Sequence, residues 1–276
     1  MAAHLLPLFP STNGTIEFID CLPSNALQRG FYYGRLAPSE EKEYDTPEYK
    51  AFNIPIHDVR GHEREFQLQT HGFCFLKHSR VNIKPTSQKA EIEDYITKVA
   101  GILQEQQQAD LIFCYDYKFR RNDADAESRR ASWNDRSYFD PPAREAHVDA
   151  TWEGGMRRIR SHLSESEAAK YLDGPETWRL QIINSWQPVE YGVEDRPLTF
   201  CDYFSTRDSD YIRIHLHISK DGAGELYHLR HDGSQNWYWL SGQTHEELIF
   251  FLNYDSLPGS GPKRKELNQR VHDCSD

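Results

Sequence analysis

Cysteines are few. Cys21, Cys74, Cys114, Cys201 and Cys274 are odd in number, widely scattered over 276 residues, and form no CxxC pair. Neither a disulfide framework nor a thiolate zinc site is indicated. No apolar run approaches the roughly 20 residues of a membrane-spanning helix. The opening MAAHLLPLFPSTNG lacks the basic flank and longer apolar stretch of a secretory leader. Basic residues are short relative to acids: 32 Lys and Arg against 43 Asp and Glu leave a net charge of −11. That balance argues against a phosphate-backbone partner, whose recognition needs clustered cations. There is no GxSxG elbow, P-loop or GxGxxG, so nucleophilic-hydrolase and nucleotide-binding readings lack their residues. The expectation is a cytoplasmic protein with neither nucleic acid nor membrane as partner.

Aromatic residues make up 13% of the chain, too many for a disordered one. Length and composition fit a single domain over 1–276, with an irregular N-terminal segment (1–55) and a core over 56–276. In Ala90 to Gln108, Ile92, Ile96, Val99 and Ile102/Leu103 recur every three to four residues, which predicts an amphipathic helix. Ser164-Glu-Ser-Glu167 is a capping box that opens a second helix, to Tyr171. Thr244-His-Glu-Glu247 repeats the device before Leu248 to Leu252 and predicts a third. Strands are expected at Leu111–Tyr117, Leu180–Trp186, Leu198–Tyr203, Tyr211–Ile218, Glu225–Leu229 and Trp237–Leu240, separated by Gly, Pro and Asp turns. The fold class is therefore mainly β with bracing helices, a barrel or sandwich.

The triplet His147-Val148-Asp149 carries the sharpest chemistry. Residues i and i+2 of a strand point to one side, so an imidazole and a carboxylate converge there. A distant His would complete the facial triad of a non-haem Fe(II) oxygenase, which leaves coordination sites open for co-substrate and oxygen. By itself HxD also fits a surface strand pair, and spacing does not select the third ligand among His215, His217, His228, His231, His245 and His272. His215 and His217 share one strand face and form a rival pair, with a solvated face beside Arg213 as the alternative. Arg157, Arg158 and Arg160 read either as a carboxylate clamp or as a solvated helix face.

The order of motifs carries more than the triplet. Val59-Arg-Gly-His-Glu-Arg-Glu-Phe66, His71-Gly-Phe-Cys-Phe75, Ile112-Phe-Cys-Tyr-Asp116 and Ala146-His-Val-Asp-Ala-Thr151 come first. Arg179-Leu-Gln-Ile-Ile-Asn-Ser-Trp-Gln-Pro188, Asn236-Trp-Tyr-Trp239, Glu246-Glu-Leu-Ile-Phe250 and Tyr254-Asp-Ser256 follow. In this order the chain resembles the hydroxylase/desaturase proteins of fungal secondary metabolism that are related to the bacterial cephamycin methoxylation protein. The resemblance implies a distorted double-stranded β-helix (a cupin-like jelly-roll) that uses Fe(II), 2-oxoglutarate and O2 to oxidise a small metabolite. A ferryl species formed on decarboxylation of the keto acid would drive hydroxylation, desaturation or ring closure. By motif position His147 and Asp149 are the first two iron ligands, and His272 is the third. Family members carry Arg where this chain has Gln187, and a later Arg that holds 2-oxoglutarate, whereas only Asp273-Cys-Ser-Asp276 follows His272. Arg179 is the replacement candidate for that role, with a salt-bridged barrel residue as the alternative. Tyr115, Asn184 and Trp186 are expected on the substrate pocket wall, Trp186 equally as a barrel-core aromatic. A competing reading is an iron-impaired relative that binds a metabolite or a partner protein.

Overall fold

The computed structural model describes residues 9–21, 31–32, 47–80, 83–122, 141–219 and 222–257. Eleven strands fall into three sheets. The first has the order β1 (Ser11–Cys21), β3 (Glu48–Asp58), β10 (Trp237–Trp239) and β7 (Thr199–Cys201). The second is β4 (Phe73–Lys77), β11 (Glu247–Asp255) and β6 (Gln181–Trp186). The third is β2 (Phe31–Tyr32), β8 (Tyr211–Ser219), β9 (Gly222–Leu229) and β5 (His147–Val148). Pairing is antiparallel except for β10 with β3 and β2 with β8. Among the described residues the α-helices are α1 (Leu68–His71), α2 (Lys89–Gln107), α3 (Trp152–His162) and α4 (Glu165–Tyr171). The mainly β architecture with bracing helices is as the sequence predicts.

Side-chain periodicity explains the packing. Ile16 and Phe18 of β1 and Ile54 and Ile56 of β3 alternate inward and meet Tyr211, Tyr227 and Leu229 of the third sheet. Phe200 and Tyr238 of the first sheet meet Phe73, Phe75 and Ile249 of the second. Helix α2 lays Val99, Tyr95 and Ile102 on Cys74, Leu248, Phe250 and Leu252. Each large apolar side chain so buried contributes about 1.5–3 kcal/mol. Helix α3 places Trp152, Met156 and Ile159 on Ile182 and Tyr254.

Three expectations are corrected. The segment 1–55, read as irregular, holds β1 and most of β3, which pair from Ser11↔His57 to Cys21↔Glu48. The stretch after Thr244 is not a helix but β11. Thr244 N and Oγ1 do donate to Glu247 Oε2, but they hold only a turn. Glu247–Asp255 then runs as the central strand between β4 and β6, buried at nearly every position. An apolar run covered on both faces has no period to tell strand from helix, and its bulky aromatic content favours the strand. Leu111–Tyr117, expected as a strand, has no strand assignment and joins no ladder among the described residues.

Candidate iron-binding site

Strand β5 is two residues long, and its neighbours hold it on both sides. His147 and Val148 pair with His228 and Tyr227 of β9. One residue earlier, Ala146 N donates to Glu17 O of β1 (2.8 Å) and Leu229 N donates to Ala146 O (2.9 Å). Helix α3 starts three residues after Asp149, and its N-cap is Thr151, whose hydroxyl accepts from Gly154 N at 2.9 Å. The HxD triplet is thus fixed at the junction of strand and helix.

His147 Nε2 lies 3.3 Å from Asp149 Oδ1, and the two side chains are 29% and 36% exposed. The pair is reachable from solvent. His147 Nδ1 is 2.7 Å from Glu145 O, so it carries the proton and donates. Nε2 is then the nitrogen with a lone pair to offer a metal. Asp149 is held as firmly: Asn184 Nδ2 donates to its Oδ2 (2.7 Å), and its own N–H donates to Asn253 Oδ1 (3.1 Å). Arg158 Nη1 donates to its carbonyl at 3.4 Å.

Burial alone pushes the Asp149 carboxyl up, but the protonated form of His147, the hydrogen bond from Asn184 and the nearby Arg158 charge hold it well below the usual carboxylate range. Burial likewise opposes protonation of His147, yet Asp149 and the Glu145 carbonyl outweigh it and raise its pKa. Opposite stands His228, which is buried, with ring centroids 6.1 Å apart. Burial and the neighbouring imidazole lower its pKa to about 3, so it stays neutral.

The donor set fits an Fe(II) site in part. One imidazole nitrogen and one carboxylate oxygen 3.3 Å apart match adjacent ligands of one metal, which at bonds near 2.1 Å stand about 3 Å apart. Among the described residues no third His, Cys, Asp or Glu completes a cluster with them. His272 lies outside the described residues.

A family model described as "YDMC: Oxidoreductase/YMDC permease-like domain" matches residues 21–267. The chain belongs to this oxidoreductase family. Its relatives include the hydroxylase/desaturase CTB9 of Cercospora beticola, 27% identical over 230 residues (78% of this chain, 69% of that protein). The Fe(II)/2-oxoglutarate-dependent dioxygenase nvfI of Aspergillus novofumigatus is 25% identical over 256 residues, covering 90% of this chain and 85% of the relative. The solved structure of the iron and alpha-ketoglutarate-dependent endoperoxidase NvfI superposes with a TM-score of 0.71 at 22% identity, over 92% of this chain and 87% of that one. The cupin-like fold is therefore shared, and the kinship with fungal secondary-metabolism oxygenases read from the motifs holds.

Within this oxidoreductase fold the other expected site residues separate. Tyr115 lies near the centre: burial raises its phenol pKa against the pull of Arg158, and the Asp149 charge acts on it. Asn184 grips Asp149 instead of lining an open wall. Trp186 packs on the Val59, Phe66 and Phe73 cluster, the barrel-core alternative. Arg179 is no open receiver for a carboxylate. Its Nε and Nη2 donate to Asp255 Oδ1 (3.1 Å) and Oδ2 (2.6 Å), and Asp255 is fully buried, so the guanidinium fork is occupied. Gln187 is buried, donates to His245 O (2.8 Å) and accepts from Tyr95 OH (3.1 Å), tying α2 to the β10–β11 turn. His215 Nδ1 is 3.0 Å from Glu225 Oε1, in a polar network with Arg157; the side chain of His217, its partner in the rival pair, lies outside the described residues. Asn253 and Arg158 were not legible as neighbours of Asp149, because they lie on other elements and no spacing rule links them to it.

Proposed function

We propose that this protein is an Fe(II)/2-oxoglutarate-dependent dioxygenase that oxidises a small secondary metabolite with O2, by hydroxylation, desaturation or oxidative ring closure. What carries the reading is the His147–Asp149 pair, with its tautomer set by Glu145 O and its carboxylate set by Asn184, in a chain whose relatives are named for this chemistry. His147 and Asp149 hold the iron, and His272 is the third ligand. The whole chain acts as one oxygenase domain in the cytoplasm, with no nucleic-acid or membrane partner. No helix among the described residues is long and apolar enough to cross a membrane. Kinship with the cephamycin methoxylation protein is part of the same proposal.

When bound, the iron and keto acid supply the oxidising power for C–H chemistry. The protein's own residues do the rest. Glu145 O keeps Nε2 of His147 free for the metal. Asn184 leaves Asp149 Oδ1 as the oxygen facing His147. Tyr115 and Arg158 border the site and direct what approaches it.

Anaerobic titration with Fe(II) and 2-oxoglutarate tests the proposal: a visible charge-transfer band is expected, lost in His147→Ala and in Asp149→Ala. Absence of the band in the intact chain, or turnover retained by either variant, counts against it. The alternative is an iron-impaired relative that binds a metabolite or a partner protein. Iron analysis decides between them, since a stoichiometric metal lost on His147→Ala excludes that alternative.

A further inference from the structure

The oxygenase reading leaves the substrate undefined, and the surroundings of Asp149 narrow it. Leu111, Phe113, Tyr115 and Tyr117 occur at every second position of a segment outside the strands and are 38%, 43%, 39% and 37% exposed. They are four of the seven exposed large hydrophobics among the described residues, so this surface is concentrated beside the site and not scattered. The His162 ring lies nearly flat against Tyr115 at 4.9 Å, with Phe113 at 6.4 Å, extending the shelf. Exposed aromatic rings gathered on Tyr115, Phe113 and His162 offer an apolar face for a ligand.

At the inner end of the shelf stand two cations. Arg158 reaches the Asp149 carbonyl, and Arg120, whose charge acts on His147, donates to Pro141 O at 2.8 Å. Neither has a carboxylate within ion-pair distance among the described residues. Their neighbours Arg121, Arg157 and Arg160 pair with Glu190, Glu225 and Asp173. In a chain of net charge −11, two guanidinium groups that form no ion pair among the described residues, Arg158 acting on Asp149 only through its charge, complement an anion.

We propose that this surface binds a flat, unsaturated metabolite bearing one anionic group, with its rings on Phe113, Tyr115 and His162 and its carboxylate or phenolate on Arg158 and Arg120. The inference rests on the oxygenase reading of the site and names its substrate class. An aromatic face accepts a planar skeleton by stacking, and a guanidinium fork matches a carboxylate.

Calorimetric titration of the full chain with 2-naphthoate and with uncharged 2-naphthamide tests it. The acid should bind at least about tenfold more tightly, the effect of one charge-assisted contact. Arg158→Gln, and to a lesser degree the exposed Arg120→Gln, should erase that preference. Tyr115→Ala should weaken both ligands alike. Saturating 2-oxoglutarate should leave the naphthoate affinity unchanged. Equal affinity for acid and amide, or a preference that survives in both arginine variants, overturns the proposal. So does displacement of naphthoate by 2-oxoglutarate, which would give the arginines to the keto acid. A dimer in sedimentation that Phe113→Asp disperses would put a second copy on the shelf and overturn it too. Failure here with Fe(II) and 2-oxoglutarate still bound leaves the oxygenase reading standing, whereas loss of their binding with the naphthoate preference intact strikes that reading alone.

Discussion

The single side chain on which the candidate centre most depends, beyond its ligands, is Asn184. Its amide donates to the Asp149 oxygen that does not face His147, so it fixes which oxygen a metal meets. Asn184→Ala should weaken Co(II) binding, read from d–d absorption, by about 10–100-fold. Asn184→Asp should weaken it at least as much, since a second carboxylate replaces a donor. Retained affinity in both would show that Asp149 needs no such support. The HxD pair was legible because period two is a property of any strand, whatever the fold. Asn184 was legible only as a residue near the site; that it grips Asp149, 35 residues away, is a fact of tertiary packing. Arg179 shows the same limit. Sequence offered a carboxylate receiver or a salt-bridged residue on equal terms, and only the position of the buried Asp255 decides.

Elements meet here through contacts that tolerate little change. Gly155 of α3 lies against the ring of Tyr254 in β11, and a Cβ added there would stand 2.2 Å from that ring. The ring is buried and has no room to retreat. Gly155→Ala should destabilise the fold by about 1–3 kcal/mol, seen as a lower urea midpoint at unchanged slope. Arg179 and Asp255 join the start of β6 to the end of β11. Arg179→Ala leaves a fully buried carboxylate without its partner and should cost about 3 kcal/mol, the low end for a broken buried pair because the arginine is partly solvated. Keto-acid binding should persist in that variant, and its loss would return Arg179 to the site. Helices α2 and α4 were readable from stripe and cap, since both signals are local. Strand β11 was not, because a segment covered on both faces shows no periodicity and the Thr244–Glu247 contacts mimic a helix start. The alternation of Phe52, Ile54 and Ile56 was present in the sequence, but one short run did not reveal a strand of 11 residues.

Across the molecule, several of the motifs that mark the family are architecture. Arg60, from the motif after β3, donates to Glu247 at the start of β11, 187 residues on, and to Ser241 O. Burial pushes the Glu247 carboxyl up, but Arg60 and the Thr244 N–H bring it below its ordinary value. A carboxyl lowered in the folded state adds stability above its unfolded pKa, about 4.3, and loses it as pH falls through the folded value. Glu247→Gln should therefore lower stability at neutral pH and flatten the acid limb, so that the two denaturation midpoints converge below about pH 4. Parallel curves at all pH values would remove the ion pair from the account. Strand β1 has a wider consequence. It touches the chain again at 144–146, where Glu17 N donates to Arg144 O and Ala146 N donates to Glu17 O. Strand β1 (Ser11–Cys21) is therefore part of what holds the candidate site. A shortened version starting after Cys21 would keep His147 and Asp149 yet release the backbone that aims one of them, and its first symptom would be a metal held loosely, ahead of any collapse of the fold.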